Sequence, residues 1–328
     1  MEIFHSLDDI PGKLGKSVVT IGNFDGVHLG HREIFTRVCQ AADEIKGVSV
    51  VVTFVPHPLK VIPNPQKRIC LITTYAEKEA LIEESGIDYL VAIPFNPEFA
   101  SLSAREFVTD ILVEKLGVNR LIIGYDYSFG RGREGKVETL LTLGREFGFA
   151  VEVLDPIGHD GIIYSSTQVR KMVKEGDVAG VVPLLGRHFS LTGRVVIGHR
   201  RGAGLGFPTA NIQTDKELIP KAGVYAVKVQ LDDTFYDGAC NIGTNPTFGD
   251  EENSIEVFLF DFSGNLYERE LKLFFVARIR DEIRFSGPEP LRRAISDDVV
   301  RCREILDGTE LGEYRANPQG EGNGRSEG

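Results

Sequence analysis

Two histidines, His28 and His31, flank Gly30 in the stretch VVTIGNFDGVHLGH, residues 18–31. Imidazole nitrogens can donate to phosphate oxygens without carrying a fixed charge. The run Val18-Val19-Thr20-Ile21 before them is β-branched and reads as a short buried strand. A turn of Gly, Asn and Asp follows, after which Ile34, Phe35, Val38, Ala41, Ala42 and Ile45 recur at helical spacing. The pair therefore sits at a helix N-terminus beyond the C-terminal end of a strand. Open α/β sheets bind ligands there, and free N–H groups favour phosphate. Gly30 has no side chain, so backbone could approach a phosphate closely. A capped turn with two surface histidines is the plain alternative.

Two further groups could serve phosphate chemistry. Ser165-Ser166-Thr167 precedes an apolar-periodic segment, with Arg170 one turn on; these are helix caps, or hydroxyls and a charge clamp near phosphate. In the second half, Gly202, Gly204 and Gly206 stud the run GAGLGFPTAN, and glycines permit close backbone approach to phosphates. Thr209 and Asn211 alternate, so an extended chain points both to one face. A hydroxyl and an amide oxygen are hard ligands suited to magnesium carrying nucleotide phosphates. Glu256 lies between Ile255 and Val257 and faces opposite to them, either solvated or turned into a site.

The elements that must position these residues alternate in the first half. Val48–Val55 is a continuous apolar run, a central parallel strand. Thr74-x-x-Glu77 and Ser103-x-x-Glu106 are capping boxes for helices to about Glu84 and Leu116. Tyr89–Phe95, Leu121–Gly124 and Val151–Leu154 read as strands. The expectation is a Rossmann-like α/β domain, a mostly parallel sheet covered on both faces. The texture changes between Pro183 and Ser190. From Leu191 short strands with Gly turns predominate, with hairpin turns expected at Asp232-Asp233 and Ser263-Gly264-Asn265. These point to a small antiparallel β-barrel closed by a helix from Pro290 to Leu306, carrying Leu291, Ala294, Ile295, Val299 and Ile305. Asn241-Ile242-Gly243 through Phe248 reads as a polar-aromatic loop. The expected organisation is a first domain over 1–184, a second over 185–311 and a disordered tail over 312–328.

Two phosphate-loop motifs are decoys or weak. Gly15-Lys16-Ser17 ends like a phosphate-loop lysine motif, but the first glycine would fall at Ile10 and a strand follows. Gly130-Arg131-Gly132-Arg133-Glu134-Gly135 is a formal G-x-G-x-x-G, with Asp155 placed 20 residues beyond Gly135 where a ribose-binding acid would stand. That keeps a nicotinamide dehydrogenase open. Against it, five residues separate Gly124 from Gly130, so the glycines do not close a tight strand-to-helix turn.

Composition bounds the rest. The 328 residues are 42% hydrophobic and 26% charged, enough for two cores, and the net charge of −11 argues against broad nucleic-acid or anionic-membrane binding. Cys39, Cys70, Cys240 and Cys302 lie far apart and resemble neither a disulfide framework nor a zinc site. With no apolar run of spanning length and no basic-then-apolar leader, the expectation is a soluble cytoplasmic protein. Self-association is left open.

In order, the stretches GNFDGVHLGH, FVPHP (54–58), GYDYSFGRGREG (124–135), SSTQVR (165–170), LGFPTANI (205–212), NIGTNPTF (241–248) and the strand containing Glu256 resemble the bacterial bifunctional riboflavin kinase/FMN adenylyltransferase, or FAD synthetase, family. The resemblance implies phosphorylation of riboflavin to FMN by ATP in the second domain. It implies adenylylation of FMN by ATP to FAD and pyrophosphate in the first. It assigns catalysis to His28, His31 and Glu256, and nucleotide binding to Gly22, Asn23, Phe24, Asp25, Gly26, Gly30, Ser166, Thr167, Arg170, Gly202, Gly204 and Gly206. It gives flavin contacts to Phe54, Pro56, His57, Asp126, Arg280 and Phe285, and Mg²⁺ to Thr209 and Asn211. Ile283 stands where a Lys is common in the family's flavin-side loop. A protein that binds flavin without turning over ATP is the third reading.

Overall fold

The computed structural model describes residues 1–62, 69–159, 161–198, 206–247 and 250–311. The expected tail and Gly202, Gly204 and Phe248 lie outside the described residues. The first half is built on six parallel strands: β1 (Glu2–Phe4), β2 (Ser17–Ile21), β3 (Val48–Val55), β4 (Tyr89–Pro94), β5 (Val118–Gly124) and β6 (Ala150–Leu154). Their order is β1-β4-β3-β2-β5-β6. The chain leaves β2 toward β3 on one side and returns to β5 on the other, which makes the end of β2 a topological switch point.

Helix α1 (Leu29–Ile45) follows β2, α2 (Pro58–Val61) follows β3, and α3 (Tyr75–Glu83) precedes β4. Beyond β4 come α4 (Pro97–Ala100), α5 (Ala104–Glu106), which widens into π-helical turns over Phe107–Lys115, and α6 (Val137–Phe147) after β5. Both expected capping boxes form, at Thr74/Glu77 and Ser103/Glu106. Successive strand residues enter opposite layers. Val18, Val51, Leu90 and Ile122 pack with Phe35, Val38 and Ile82 on one face. Val19, Val50, Val91 and Leu121 pack with Val108, Leu112 and Leu140 on the other. This is the doubly covered sheet that the apolar runs imply. The edge strand β1 and a small hairpin, β7 (Gly158–His159) with β8 (Ile162–Ile163), are too short to be read from sequence, whereas the eleven-residue α6, with Leu140 and Leu143 buried on one face, has helical spacing that the expected elements omit.

Helices α7 (Ser166–Glu175) and α8 (Val182–Leu185) lead into the second half. Its strands β9 (Phe189–Val196), β10 (Ala210–Gln213), β11 (Gly223–Leu231), β12 (Thr234–Thr247), β13 (Asp250–Leu259) and β14 (Glu270–Arg280) close an antiparallel barrel in the order β10-β13-β12-β11-β14-β9. Asp232-Asp233 makes the tight β11–β12 turn, with Leu231 paired to Thr234. Ser263-Gly264-Asn265 is not a hairpin turn, because β13 and β14 are not neighbours: closure sets β10 and β12 beside β13, and β9 and β11 beside β14. Residues 241–247 are not a loop either; they extend β12, paired residue by residue with β13. Helix α9 (Pro288–Leu306) lies on the outer wall. It buries Cys302 and Leu306 against Val224, Ala226 and Ile279, while Val299 and Ile305 of the expected apolar set are only partly covered.

The texture change near Pro183–Ser190 does not coincide with the packing boundary. Val169, Val173, Val178, Val181 and Leu184 share one hydrophobic cluster with the barrel interior, including Leu191, Tyr225, Val257 and Phe275. Helices α7 and α8 thus complete the barrel core. Each buried aliphatic side chain contributes roughly 1.5–3 kcal/mol. A chain starting at Tyr164 should therefore be soluble and melt clearly above one starting at Leu185. Equal melting temperatures for the two would show that α7 and α8 add nothing to the barrel.

Candidate functional site

The first polar cluster forms where β2 ends. His28 caps α1: its Nδ1 accepts from the His31 backbone N–H at 3.3 Å. An accepting Nδ1 leaves the neutral ring its proton on Nε2, so the cap also makes His28 a donor. The His31 ring stacks on it, centroids 3.5 Å apart and 20° between planes. Phe24 meets His31 edge-on at 5.2 Å. A Cβ on Gly22 would lie 2.8 Å from the Phe24 ring, so Gly22 makes room for that ring. Gly30 likewise leaves room for the His28 ring and Tyr164, each 3.2 Å from where a Cβ would stand. Burial, then the Arg187 charge, pushes His28 down to about 4. Burial also holds His31 well below its usual value, with His28 and Lys78 adding to it.

Asp25 organises the surroundings. Its carboxylate, 5 % exposed, accepts from the Ile72 and Thr73 backbone N–H groups at 3.0 and 3.2 Å and from the Thr73 hydroxyl at 3.2 Å. It also pairs with Arg170, whose Nε donates to the Cys70 carbonyl at 2.9 Å. The Ser166 hydroxyl donates to the Asp25 carbonyl at 2.8 Å. The N-terminus of α7 is thereby brought beside that of α1, with Thr167 exposed between. Asp25 and Arg170 spend these contacts on the protein itself, so both hold the loop as well as charge.

Lys78 was not visible as a site residue, because a Lys in a capped helix reads as a solvated face. It is 5 % exposed, and its Nζ donates to Thr53 Oγ1 at 2.9 Å and to the Asn23 carbonyl at 3.3 Å. Burial pushes it down to about 8. With Asn23, Asp25, Thr73, Tyr75 and His57 it lines one small concavity. His57 is 6 % exposed, accepts from the Leu59 N–H through Nδ1 at 3.1 Å, and is pushed by burial down to about 4. The cluster presents neutral imidazole donors and buried cations, which suits a polyphosphate.

Of the flavin-side positions, Phe54 packs against Phe95 and Phe99, both at 5.7 Å. That aromatic run continues through Phe107 to Phe129 and Tyr127. Pro56 and Asp126 are exposed beyond the ends of β3 and β5. The glycines at 130–135 close their own loop: Phe129 bridges Gly135, and a Gly130 Cβ would lie 2.8 Å from the Ala104 nitrogen. They form no dinucleotide turn.

The second cluster lies on the barrel's outer surface. Ile255 and Val257 point into the core, so Glu256 points out. It pairs across strands with Asn211 on β10 and with Asn241 on β12. The Thr209 hydroxyl donates to Glu256 Oε2 at 3.1 Å. The alternation of 209 and 211 therefore does bring both to one carboxylate. This all-oxygen set fits a magnesium ion that arrives with a nucleotide and keeps phosphate and water as most of its ligands. Gly206, three residues before Thr209, has φ 90° and open space where a Cβ would stand. Arg280, expected on the flavin side, spends its contacts on the protein. Its guanidinium is held by Asp298 of α9 at 2.7–3.1 Å and by the Asp281 carbonyl at 3.0 Å, with Phe285 over it at 5.7 Å. Arg280 anchors α9 to the barrel.

A phosphate-binding parallel-sheet domain joined to a barrel with a carboxylate, hydroxyl and amide cluster defines a two-domain transferase acting on nucleotide phosphates. The family model for FAD synthetase matches residues 11–168, and that for riboflavin kinase matches residues 185–306. A bifunctional riboflavin kinase/FMN adenylyltransferase of Pseudomonas fluorescens is 39% identical over 93% of this chain and 98% of its own. The protein of that description from Escherichia coli K12 is 36% identical over 92% and 96%. A crystal structure described as a macrolide-efflux protein from Streptococcus pneumoniae superposes with a TM-score of 0.83 at 31% identity, covering 92% of this chain and 98% of that one. Among the described residues no helix is long and apolar enough to cross a membrane. The chain belongs to the bifunctional riboflavin kinase/FMN adenylyltransferase family.

The buried histidines have a consequence for stability. His28 and His57 sit at about 4 in the fold against 6.5 when free. Between those values the unfolded chain binds more protons, so stability rises with pH and is lost as pH falls through 6.5 toward 4, on the order of 3 kcal/mol for each. The urea midpoint of the first domain should drop between about pH 7 and about pH 4.5, and His57→Asn should shrink the drop. A variant with the full wild-type drop would show that His57 does not contribute.

Proposed function

We propose that the two clusters are the two active sites of flavin nucleotide synthesis, adenylylation of FMN at His28/His31 and phosphorylation of riboflavin at Glu256. In the first, the FMN phosphate is already an anionic nucleophile and needs no base. Its oxygen attacks the α-phosphorus of ATP, the bond to the bridging oxygen breaks, and pyrophosphate leaves. The chain's task is to neutralise charge that grows on the transferred group. The Nε2–H donor of His28, the His31 imidazole, the N-terminal amides of α1 and the buried Lys78 ammonium supply this. Ser166 and Arg170 hold the second helix N-terminus against the same loop. Phe54, Pro56, His57 and Asp126 form the flavin side, at the ends of β3 and β5.

In the barrel the nucleophile is the neutral ribityl hydroxyl. Glu256 accepts its proton as the oxygen–phosphorus bond forms and ADP leaves. The Thr209 hydroxyl orients the carboxylate, and Thr209 with Asn211 would hold a magnesium ion, which would supply neutralisation of phosphate charge. Both reactions draw on ATP, which supports a cytoplasmic location, with riboflavin, FMN and ATP as the partners. The observation that carries this reading is the convergence of Thr209, Asn211 and Glu256 on one barrel face while His28, stacked on His31, caps α1 in the other half. We further propose that 1–184 and 185–311 remain the two functional units, with α7 and α8 lent to the barrel core.

A crossed pair of variants tests it. His31→Ala should lower conversion of FMN to FAD by about 100-fold or more and leave riboflavin phosphorylation intact. Glu256→Gln should lower phosphorylation by about 10²–10⁴-fold and leave adenylylation near normal. If either variant lost both activities, or neither, with its circular dichroism unchanged, the division of labour would be wrong.

A further inference from the structure

Arg187 lies between α8 and β9, on the barrel side of the chain, yet its guanidinium ends in the His28 loop. Its Nη2 donates to the Gly26 carbonyl at 2.6 Å, and its Nη1 donates to the Val27 carbonyl at 3.0 Å and to the Leu185 carbonyl at 3.2 Å. Nη1 thus spends both of its hydrogens on the protein. The two loop carbonyls belong to residues with left-handed backbone, φ 85° at Gly26 and 38° at Val27. Glycine adopts that region freely, but a β-branched residue does not. Val27 is 0 % exposed there, so its conformation is imposed by what surrounds it. The Gly26 N–H is held from the other side by the Thr73 hydroxyl at 3.2 Å. The next residue is His28, whose place as the α1 cap follows directly from the Gly26 and Val27 peptides.

We propose that Arg187 is a positioning residue for FMN adenylylation, through which the barrel half of the chain fixes the Gly26–Val27 peptides and hence His28 and His31. The inference rests on the reading of that pair as the adenylylation site. Arg187 supplies no group to the reacting atoms. Its planar fork bridges two carbonyls that point from successive peptides, which a lysine ammonium on a flexible stem cannot hold together. Arg187 also lines, with residues of both halves, a cleft of about 730 Å³.

The test uses the full chain as Arg187→Ala and Arg187→Lys. FMN adenylylation and riboflavin phosphorylation are assayed in the same preparations, with and without millimolar guanidinium. A misplaced histidine pair should lower kcat for adenylylation by about 10–100-fold, with KM for ATP within about threefold and phosphorylation within about twofold of wild type. Added guanidinium should restore much of the adenylylation in Arg187→Ala and leave Arg187→Lys unchanged. Three results would overturn the inference: an unaltered kcat, an equal loss of both activities, or a raised KM at unchanged kcat, the last marking a direct phosphate ligand. Failure of the wild-type chain to convert FMN to FAD would instead overturn the underlying reading.

Discussion

Asp25 is a buried carboxylate that holds three separate pieces of chain together. It takes the backbone N–H groups of Ile72 and Thr73, pairs with Arg170, and its own carbonyl receives the Ser166 hydroxyl. Together with Arg187, which holds the Gly26 and Val27 carbonyls, these contacts fix a loop that carries Phe24 and Val27 in left-handed backbone, at φ 47° and 38°. A charge removed from water must be paired and hydrogen-bonded, or it destabilises the fold. Asp25 meets that condition only when segment 71–73 and α7 are both docked. The carboxylate therefore makes assembly of the site conditional on assembly of its surroundings.

That condition reaches the second domain, because α7 belongs to both. Its N-terminus meets Asp25, while its apolar face, Val169 and Val173, lies in the barrel's core. Lys216, 7 % exposed on the barrel side, pairs with Glu77 of α3 at 2.5 Å, and Leu71 N–H is held by Glu217 at 3.0 Å. Truncating either partner of a buried pair leaves the other charge uncompensated. The domains are thus joined by shared core and by buried polar contacts, and not merely tethered.

Much of this was legible from sequence because local chemistry decided it. The apolar run 48–55 became β3 with the expected ends, and the two capping boxes formed as their Thr-x-x-Glu and Ser-x-x-Glu spacing requires. The alternation at 209–211 and 255–257 brought Thr209, Asn211 and Glu256 together, although the hydrogen bond spans 47 residues of chain. What failed depended on distant partners. Ser263-Gly264-Asn265 has hairpin chemistry, but barrel closure decides which strands pair. Gly243, Asn245 and Pro246 discourage a strand, yet pairing with β13 carries β12 through them. The pairing of Arg280 with Asp298 of α9 likewise depends on a distant partner. Lys78 and Arg187 carried no local signal at all, since each acts through a neighbour far along the chain.

The central claim is that the geometry of the loop after β2, set by Asp25, governs one of two separable reactions. Asp25→Asn keeps the side chain's shape but removes the charge that pairs Arg170 and turns an amide donor toward the Ile72 or Thr73 N–H. The direct measurement is a time course of riboflavin, FMN and FAD, separated by chromatography, after that variant is mixed with riboflavin, ATP and Mg²⁺. FMN should form at the wild-type rate and accumulate, while FAD formation falls by about 100-fold. FAD appearing at the wild-type rate would contradict the account.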